Sequence, residues 1–155
     1  MLISIDFLQF KDRLRFKTSG EQRLLFDPLR RRYFVQTPEE TVRQLVLTYL
    51  LQEKGYQKNR IAIEKWLKVN GLPKRFDLLI YDPDLSPLLL VECKAPQVAI
   101  SEATFRQIAM YNLPLQAQYL LVTNGIQTYC CQMDYPRQSY QFLQEVPAFP
   151  AIAKQ

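Results

Sequence analysis

Two apolar segments carry charge where a buried strand tolerates it least, and that pattern constrains this chain most. In RFDLLIYDPDLSPLLLVECKAP, residues 75–96, Asp77 opens one apolar run and Glu92-Cys93-Lys94 closes the next. Side chains on a strand alternate between faces, so Glu92 and Lys94 share a face and Cys93 turns into the apolar packing. If the runs pair as a hairpin across DPDLSP, Asp77 sits beside Glu92 at a sheet edge. With the Cys93 backbone carbonyl, the two carboxylates form an oxygen donor set suited to Mg²⁺ or Mn²⁺. Lys94 beside them orients or activates a water, or offsets phosphate charge, as phosphodiester hydrolysis requires. Glu-x-Lys alone carries little information, because both residues are common and a solvated ion pair on an exposed strand explains it equally well. The interrupted run LLLVECKAP gives it weight.

The rest of the composition excludes alternatives. The chain has no histidine, which removes Ser-His-Asp and Cys-His nucleophile systems and histidine metal sites. Its three cysteines, Cys93, Cys130 and Cys131, lack CxxC spacing, and they fit reduced, buried thiols. With four glycines it has neither GxGxxG nor GxxxxGK[ST], so ATP-driven chemistry is not expected within it. There is no apolar run of about 18 residues, and MLISIDFLQFKDRLRF does not read as a secretory signal, so a cytoplasmic location is expected. The net charge of +5 is clustered at Arg30-Arg31-Arg32, at Lys54, Lys58 and Arg60, at Lys65 and Lys68, and at Lys74-Arg75. Such clusters suit a polyanionic partner or a solubilising surface.

Local signals order the elements. LLFDPLRRRYFVQT reads as a strand, a turn at Asp27-Pro28 and a second extended piece. Thr37, Pro38, Glu39 and Glu40 are N-cap, N1 and first-turn acids of a helix running to about residue 54, with Gly55 as its stop. Val42, Leu45, Val46, Tyr49 and Leu50 form its buried stripe. Strands follow at 60–69, 75–81 and 88–93, with Asn70-Gly71 as a hairpin turn. Ser101 caps a second helix to about residue 112; strands at 119–123 and 128–133 flank Asn124-Gly125. YQFLQEVPAF reads as a short helix ending at Pro147. The order gives an α/β fold, with a mixed sheet flanked by helices. We expect a single domain over 1–155, with an N-terminal extension at 1–36, a core at 37–146 and a tail at 147–155.

Further residues carry two readings each. Glu40 reaches the site to hold a water at the ion, or compensates the helix dipole. Gln44 lies on the same helix face as Glu40. Gln107 and Tyr111, four apart on the second helix, contact a nucleic-acid backbone or form an ordinary polar face. Asp82 and Asp84 are turn formers, Trp66 is packing, and Glu64 supports the site or is solvated, facing away from Lys65. Lys58, Arg60 and Arg75 are the basic residues expected to meet a nucleic acid, and Gln44 is expected to join them.

Five blocks in order, TPEETVRQLVLTYLLQEKGY, RFDLLIYD, LLLVECKAP, RQIAMYN and LLVTNG, preceded by FDPLRRRY, resemble the N-terminal nuclease domain of type I restriction enzyme R (HsdR) subunits. The resemblance is closer still to small stand-alone bacterial proteins made of that domain, and it covers about residues 24–145. It implies the PD-(D/E)xK nuclease superfamily and a restriction-endonuclease-like αβββαβ core. It places the metal-binding Asp on Asp77, the Glu-x-Lys on Glu92 and Lys94, the first-helix Glu on Glu40 and a Gln-xxx-Tyr element on Gln107 and Tyr111. Phe76 stands where the superfamily name has Pro. The implied activity is Mg²⁺- or Mn²⁺-dependent cleavage of DNA, with a separate motor or other restriction or repair subunits as partners and a homodimer as a common state of the fold. A non-catalytic DNA-binding module and a protein-interaction subunit, docking through 30–32, remain the alternatives.

Overall fold

The computed structural model describes residue 3 and residues 5–150, so positions 151–155 of the expected tail lie outside the described residues. Thr37 caps the first helix, α1 (Pro38–Glu53), by accepting from the Glu40 amide. Pro38 stands where no intrahelical donor is needed. Gly55 follows with φ +74, the left-handed conformation that stops a helix. Ser101 caps α2 (Glu102–Tyr111) in the same way through the Thr104 amide.

Between and beyond the helices lies a six-stranded sheet of β4 (Ile61–Val69), β5 (Leu72–Tyr81), β6 (Pro87–Cys93), β7 (Tyr119–Thr123), β8 (Thr128–Asp134) and β9 (Ser139–Phe142), in that spatial order. β6 and β7 are parallel and are joined through α2; every other neighbouring pair is antiparallel. The expected helix–three strands–helix–strand order is therefore present. A second sheet, β1 (Phe16–Ser19), β2 (Gln22–Asp27) and β3 (Arg32–Val35), precedes α1.

The helices cover opposite faces of the large sheet. Val42, Leu45, Val46, Tyr49 and Leu50 of α1 pack with Leu78, Ile80, Leu89, Val91, Cys93 and Leu121. Phe105 and Ala109 of α2 pack with Phe76, Leu79, Leu90, Leu120, Val122 and Cys131. The alternation of Leu120, Leu121 and Val122 between the two cores is the period of a strand buried on both faces. α1 is buried beyond its stripe, from Val42 through Leu50, because an N-terminal 3-10 turn (Phe7–Arg13) also lies on it through Phe7 and Phe10 against Tyr49.

Two sequence expectations are corrected here. The tail segment is not helical: Tyr140 and Phe142 alternate on β9 so that both reach Phe105, at ring distances of 5.5 and 5.2 Å. That edge-strand packing is available only at period two. Trp66 is not packing: it is 63% exposed, on β4 opposite Arg75, in the stretch of β5 that β6 no longer pairs.

Candidate active site

β5 pairs with β6 from Tyr81 to Leu78, whose partner is Val91. One step further the same register sets Asp77 opposite Glu92, and there the strands separate. β6 stays with β7, and the Lys94 amide still donates to the Thr123 carbonyl at 2.8 Å. β5 runs on with β4 alone, as a two-stranded ribbon to the turn at Asn70-Gly71, where both residues have positive φ as a primed hairpin turn demands. Sequence reasoning expected the juxtaposition of Asp77 and Glu92, and Cys93, 2% exposed, faces the α1-side core as the alternation requires.

The carboxylates are held differently. Asp77 accepts from the Cys93 amide at 2.9 Å through one oxygen and from Arg43 at 2.8 Å through the other. Glu92 has no hydrogen-bond or ion-pair partner among the described residues. Burial, and then the negative charge of Asp77, push its carboxyl up to about 7, against the opposing pull of Lys94 and Lys74. Burial pulls the Lys74 ammonium down, with Glu92 acting the other way. Lys74 donates to the Tyr111 carbonyl and lies 3.3 Å from the centroid of the Tyr111 ring.

Sequence reasoning missed Arg43 and misread Arg30. Arg43 is 4% exposed and bonds Glu40 at 2.6 Å as well as Asp77. Burial works against its charge, but the hydrogen bond to Asp77 and the charges of Glu40 and Asp77 outweigh it and raise its pKa. Its Nε is buried with no acceptor among the described residues. Arg30 does not join Arg31 and Arg32 on the surface. The Asp27 turn directs it inward: Asp27 takes the Leu29 and Arg30 amides on one oxygen and the Arg30 Nε on the other. Arg30 then reaches both Glu40 oxygens at 3.0 Å and Glu64 at 2.7 Å. The available signal was the FDPLR turn itself, which fixes the direction of the arginine leaving it. Glu64 lies within ion-pair range of Arg30, Arg43 and Arg75, so it belongs to the network. Its φ of +49 interrupts the alternation along β4.

Other expected residues divide by position. Glu40 is buried within this network, with Gln44 donating to it at 3.1 Å; Gln44 is itself buried. Gln107 and Tyr111 are exposed on α2. Arg75 is exposed on the ribbon, 3.6 Å from Glu64. Lys58 and Arg60 stand before β4, at the sheet end where Arg60 meets the Asp82 carbonyl at 3.5 Å, away from the carboxylates. Asp82 forms its own turn, accepting from the Asp84 and Ser86 amides.

No group of three or more Asp, Glu, Cys or His side chains is arranged around a common ion position among the described residues. The oxygens that the strand register sets side by side here are those of the Asp77 and Glu92 carboxylates. Those hard oxygen donors fit an ion that keeps several waters. Glu92 has all its acceptor positions open, and each Asp77 oxygen, holding one N–H, has one more.

The family described as "Type I restriction enzyme R protein N terminus (HSDR_N)" matches residues 38–147. This chain belongs to that family. Among solved structures it is similar to a fragment ascribed to an HsdR subunit of a type I restriction enzyme from Vibrio vulnificus YJ016, with TM-score 0.50 and 23% identity. The likeness covers 71% of this chain and 23% of that one, and at this identity it speaks for the fold alone. No curated protein matches the chain. The family match starts at α1, so β1–β3 and the Asp27–Arg30 turn lie outside it. No described helix is long and apolar enough to cross a membrane.

Proposed function

We propose that this HSDR_N-family chain is a metal-dependent deoxyribonuclease of the PD-(D/E)xK superfamily, hydrolysing DNA phosphodiester bonds in a restriction or repair setting. The observation that supports this best is the unpartnered Glu92 carboxylate. It is set in register with Asp77 where β5 and β6 part, and its carboxyl is held near 7. A half-buried Glu92 carboxylate with no donor, set beside Asp77, gains nothing in stability from its position, so a cation is its natural partner.

Asp77, Glu92 and the Cys93 carbonyl would hold Mg²⁺ or Mn²⁺. Such an ion supplies charge neutralisation at the phosphate and a lowered pKa for the attacking water. The chain's residues do the rest. Lys94, two residues past Glu92 on the same strand edge, places an ammonium at the phosphate and offsets the charge that grows as the water oxygen bonds phosphorus and the P–O bond breaks. Arg43 and Arg30 fix Glu40 and Asp77, so the acids hold their geometry before substrate arrives. Gln107 and Tyr111 on α2 and Arg75 on the ribbon flank the site and contact the DNA backbone. Separate motor or restriction subunits and a homodimer are partners in keeping with this reading.

A second reading, a DNA-binding or protein-interaction module without catalysis, has its own support. Both Asp77 oxygens hold donors, and Glu40 is saturated by Arg30, Arg43 and Gln44. Cleavage of linear, circular, single-stranded and flapped DNA with Mg²⁺ or Mn²⁺, comparing wild type with Lys94→Ala, separates the two. Cleavage abolished by the substitution supports the nuclease. Intact DNA with both proteins, binding retained, supports the module.

A further inference from the structure

The ribbon beyond Asp77 has two unequal faces. Leu67, Val69 and Phe76 lie against the α2-side core. On the other face Trp66 is paired with Arg75 and Lys68 with Pro73, and directly opposed residues in an antiparallel pair share a face. Nothing among the described residues covers that face. Trp66 is 63% exposed, Lys68 is exposed, and the Arg75 side chain is 50% exposed. Trp66 makes no ring contact among the described residues, although aromatic rings elsewhere in the chain pair freely.

This face is continuous with the candidate site. Asp77 holds Arg43 at 2.8 Å, Arg43 lies 3.6 Å from Glu64, and Glu64 lies 3.6 Å from Arg75. Arg75 is two residues from Asp77, and Lys68 is two residues beyond Trp66 on the partner strand. Lys68 and Arg75 are diagonal neighbours across the β4–β5 pair, roughly 7–8 Å apart, a spacing that matches successive phosphates of an extended single strand. An exposed indole with a cation opposite it and another two residues along its strand has the composition of a stacking platform for unpaired bases. An apolar protein partner would meet Lys68 at the centre of its interface, where lysine is disfavoured. Charge complementarity favours a polyanion.

We propose that the Trp66–Lys68–Arg75 face of the β4–β5 ribbon binds an unpaired DNA strand, with a base stacked on Trp66 and flanking phosphates on Lys68 and Arg75. The strand then leads toward Asp77 and Glu92. The proposal rests on the nuclease reading only for where the strand goes, and it makes a frayed end or flap the preferred substrate.

Trp66 is the only tryptophan in the chain, so its fluorescence reports on this face without labelling. The full chain in EDTA, which removes any cleavage, is titrated with oligothymidylate and with a blunt duplex, and binding is followed in parallel by anisotropy of end-labelled strands. Oligothymidylate should quench the indole to saturation at the concentration where anisotropy saturates, and the duplex should not. Trp66→Ala should weaken single-strand binding roughly ten-fold and leave duplex binding unchanged, and Trp66→Phe should restore most of the affinity. Lys68→Ala and Arg75→Ala should each lower the salt dependence of binding by about one ion. Saturated anisotropy without quenching, equal quenching by the duplex, unchanged affinity of Trp66→Ala, or no binding to either DNA overturns the proposal. Failure of the cleavage assay with stacking retained would count against the nuclease alone, and cleavage without stacking against this face alone.

Discussion

The Arg43 guanidinium holds Asp77 at 2.8 Å, so a buried cation from α1 is fastened to the first residue of β5 that β6 no longer pairs. The same guanidinium bonds Glu40 at 2.6 Å. Helix and sheet are thereby locked together at the point where the sheet opens.

Breaking one partner of such a network leaves buried charges uncompensated. Arg43→Met should therefore destabilise the protein by about 3–5 kcal/mol, a loss visible as a lower urea midpoint at unchanged slope. Adding Asp77→Asn to Arg43→Met should recover part of that loss, because the stranded carboxylate is gone. If the two substitutions prove strictly additive, the pair is not coupled and the lock does not exist.

Glu92 sets a pH dependence of opposite sign to the usual carboxylate. Burial raises its folded-state carboxyl from 4.5 to about 7, so between those values the native state binds a proton that the unfolded chain has released. This contribution is fully present at low pH, is lost as pH rises through the window, and leaves a penalty of up to about 3 kcal/mol above pH 7. Glu92→Gln should stabilise the protein at pH 8 and flatten its stability between pH 4.5 and 7. Identical pH profiles for the two proteins in chemical denaturation would exclude a raised Glu92.

Most of the scaffold was legible because it rests on local rules. Thr37 with Pro38, Ser101, and Asn70-Gly71 each encode an element end by themselves, and the α1 stripe and the alternation across Cys93 follow from period. The Asp77–Glu92 juxtaposition needed only hairpin register. What was not legible depends on contacts distant in sequence. Arg30 reads as part of a basic run, yet its neighbours Glu40 and Glu64 arrive from other elements. Arg43 reads as a polar helix position until the first segment and the sheet bury α1 from both sides. Trp66 looks like core because nothing local says that β5 runs on past the end of its pairing with β6 and carries β4 out as a two-stranded ribbon. Tyr140 and Phe142 favour a strand only once Phe105 is above them.

The cysteines give a direct check on both faces of the sheet. Cys93 and Cys130 lie in the α1-side core and Cys131 in the α2-side core, all buried. Burial pushes Cys130 and Cys131 up to about 12 and holds Cys93 well above 9.0, so thiolate is scarce at neutral pH. A thiol reagent at pH 8 should leave all three unmodified in the native protein and modify all three in denaturant. Rapid native labelling of any of them would show that its strand is not covered as described.

A divalent ion held by Asp77 and Glu92 must stabilise the folded chain, since the unfolded chain has no such site. At ten times its dissociation constant an ion adds about 1.4 kcal/mol. Mg²⁺ should raise the wild-type melting temperature at pH 8 and should raise it less at pH 6, where the proton competes for Glu92. Asp77→Asn and Glu92→Gln should each remove the shift. Asp82→Asn, in a turn at the other end of β5, should leave it intact despite carrying the same change of charge. A shift that survives in the Asp77 and Glu92 variants but disappears in the Asp82 variant would place the ion at the turn and empty the carboxylate pair of its proposed role.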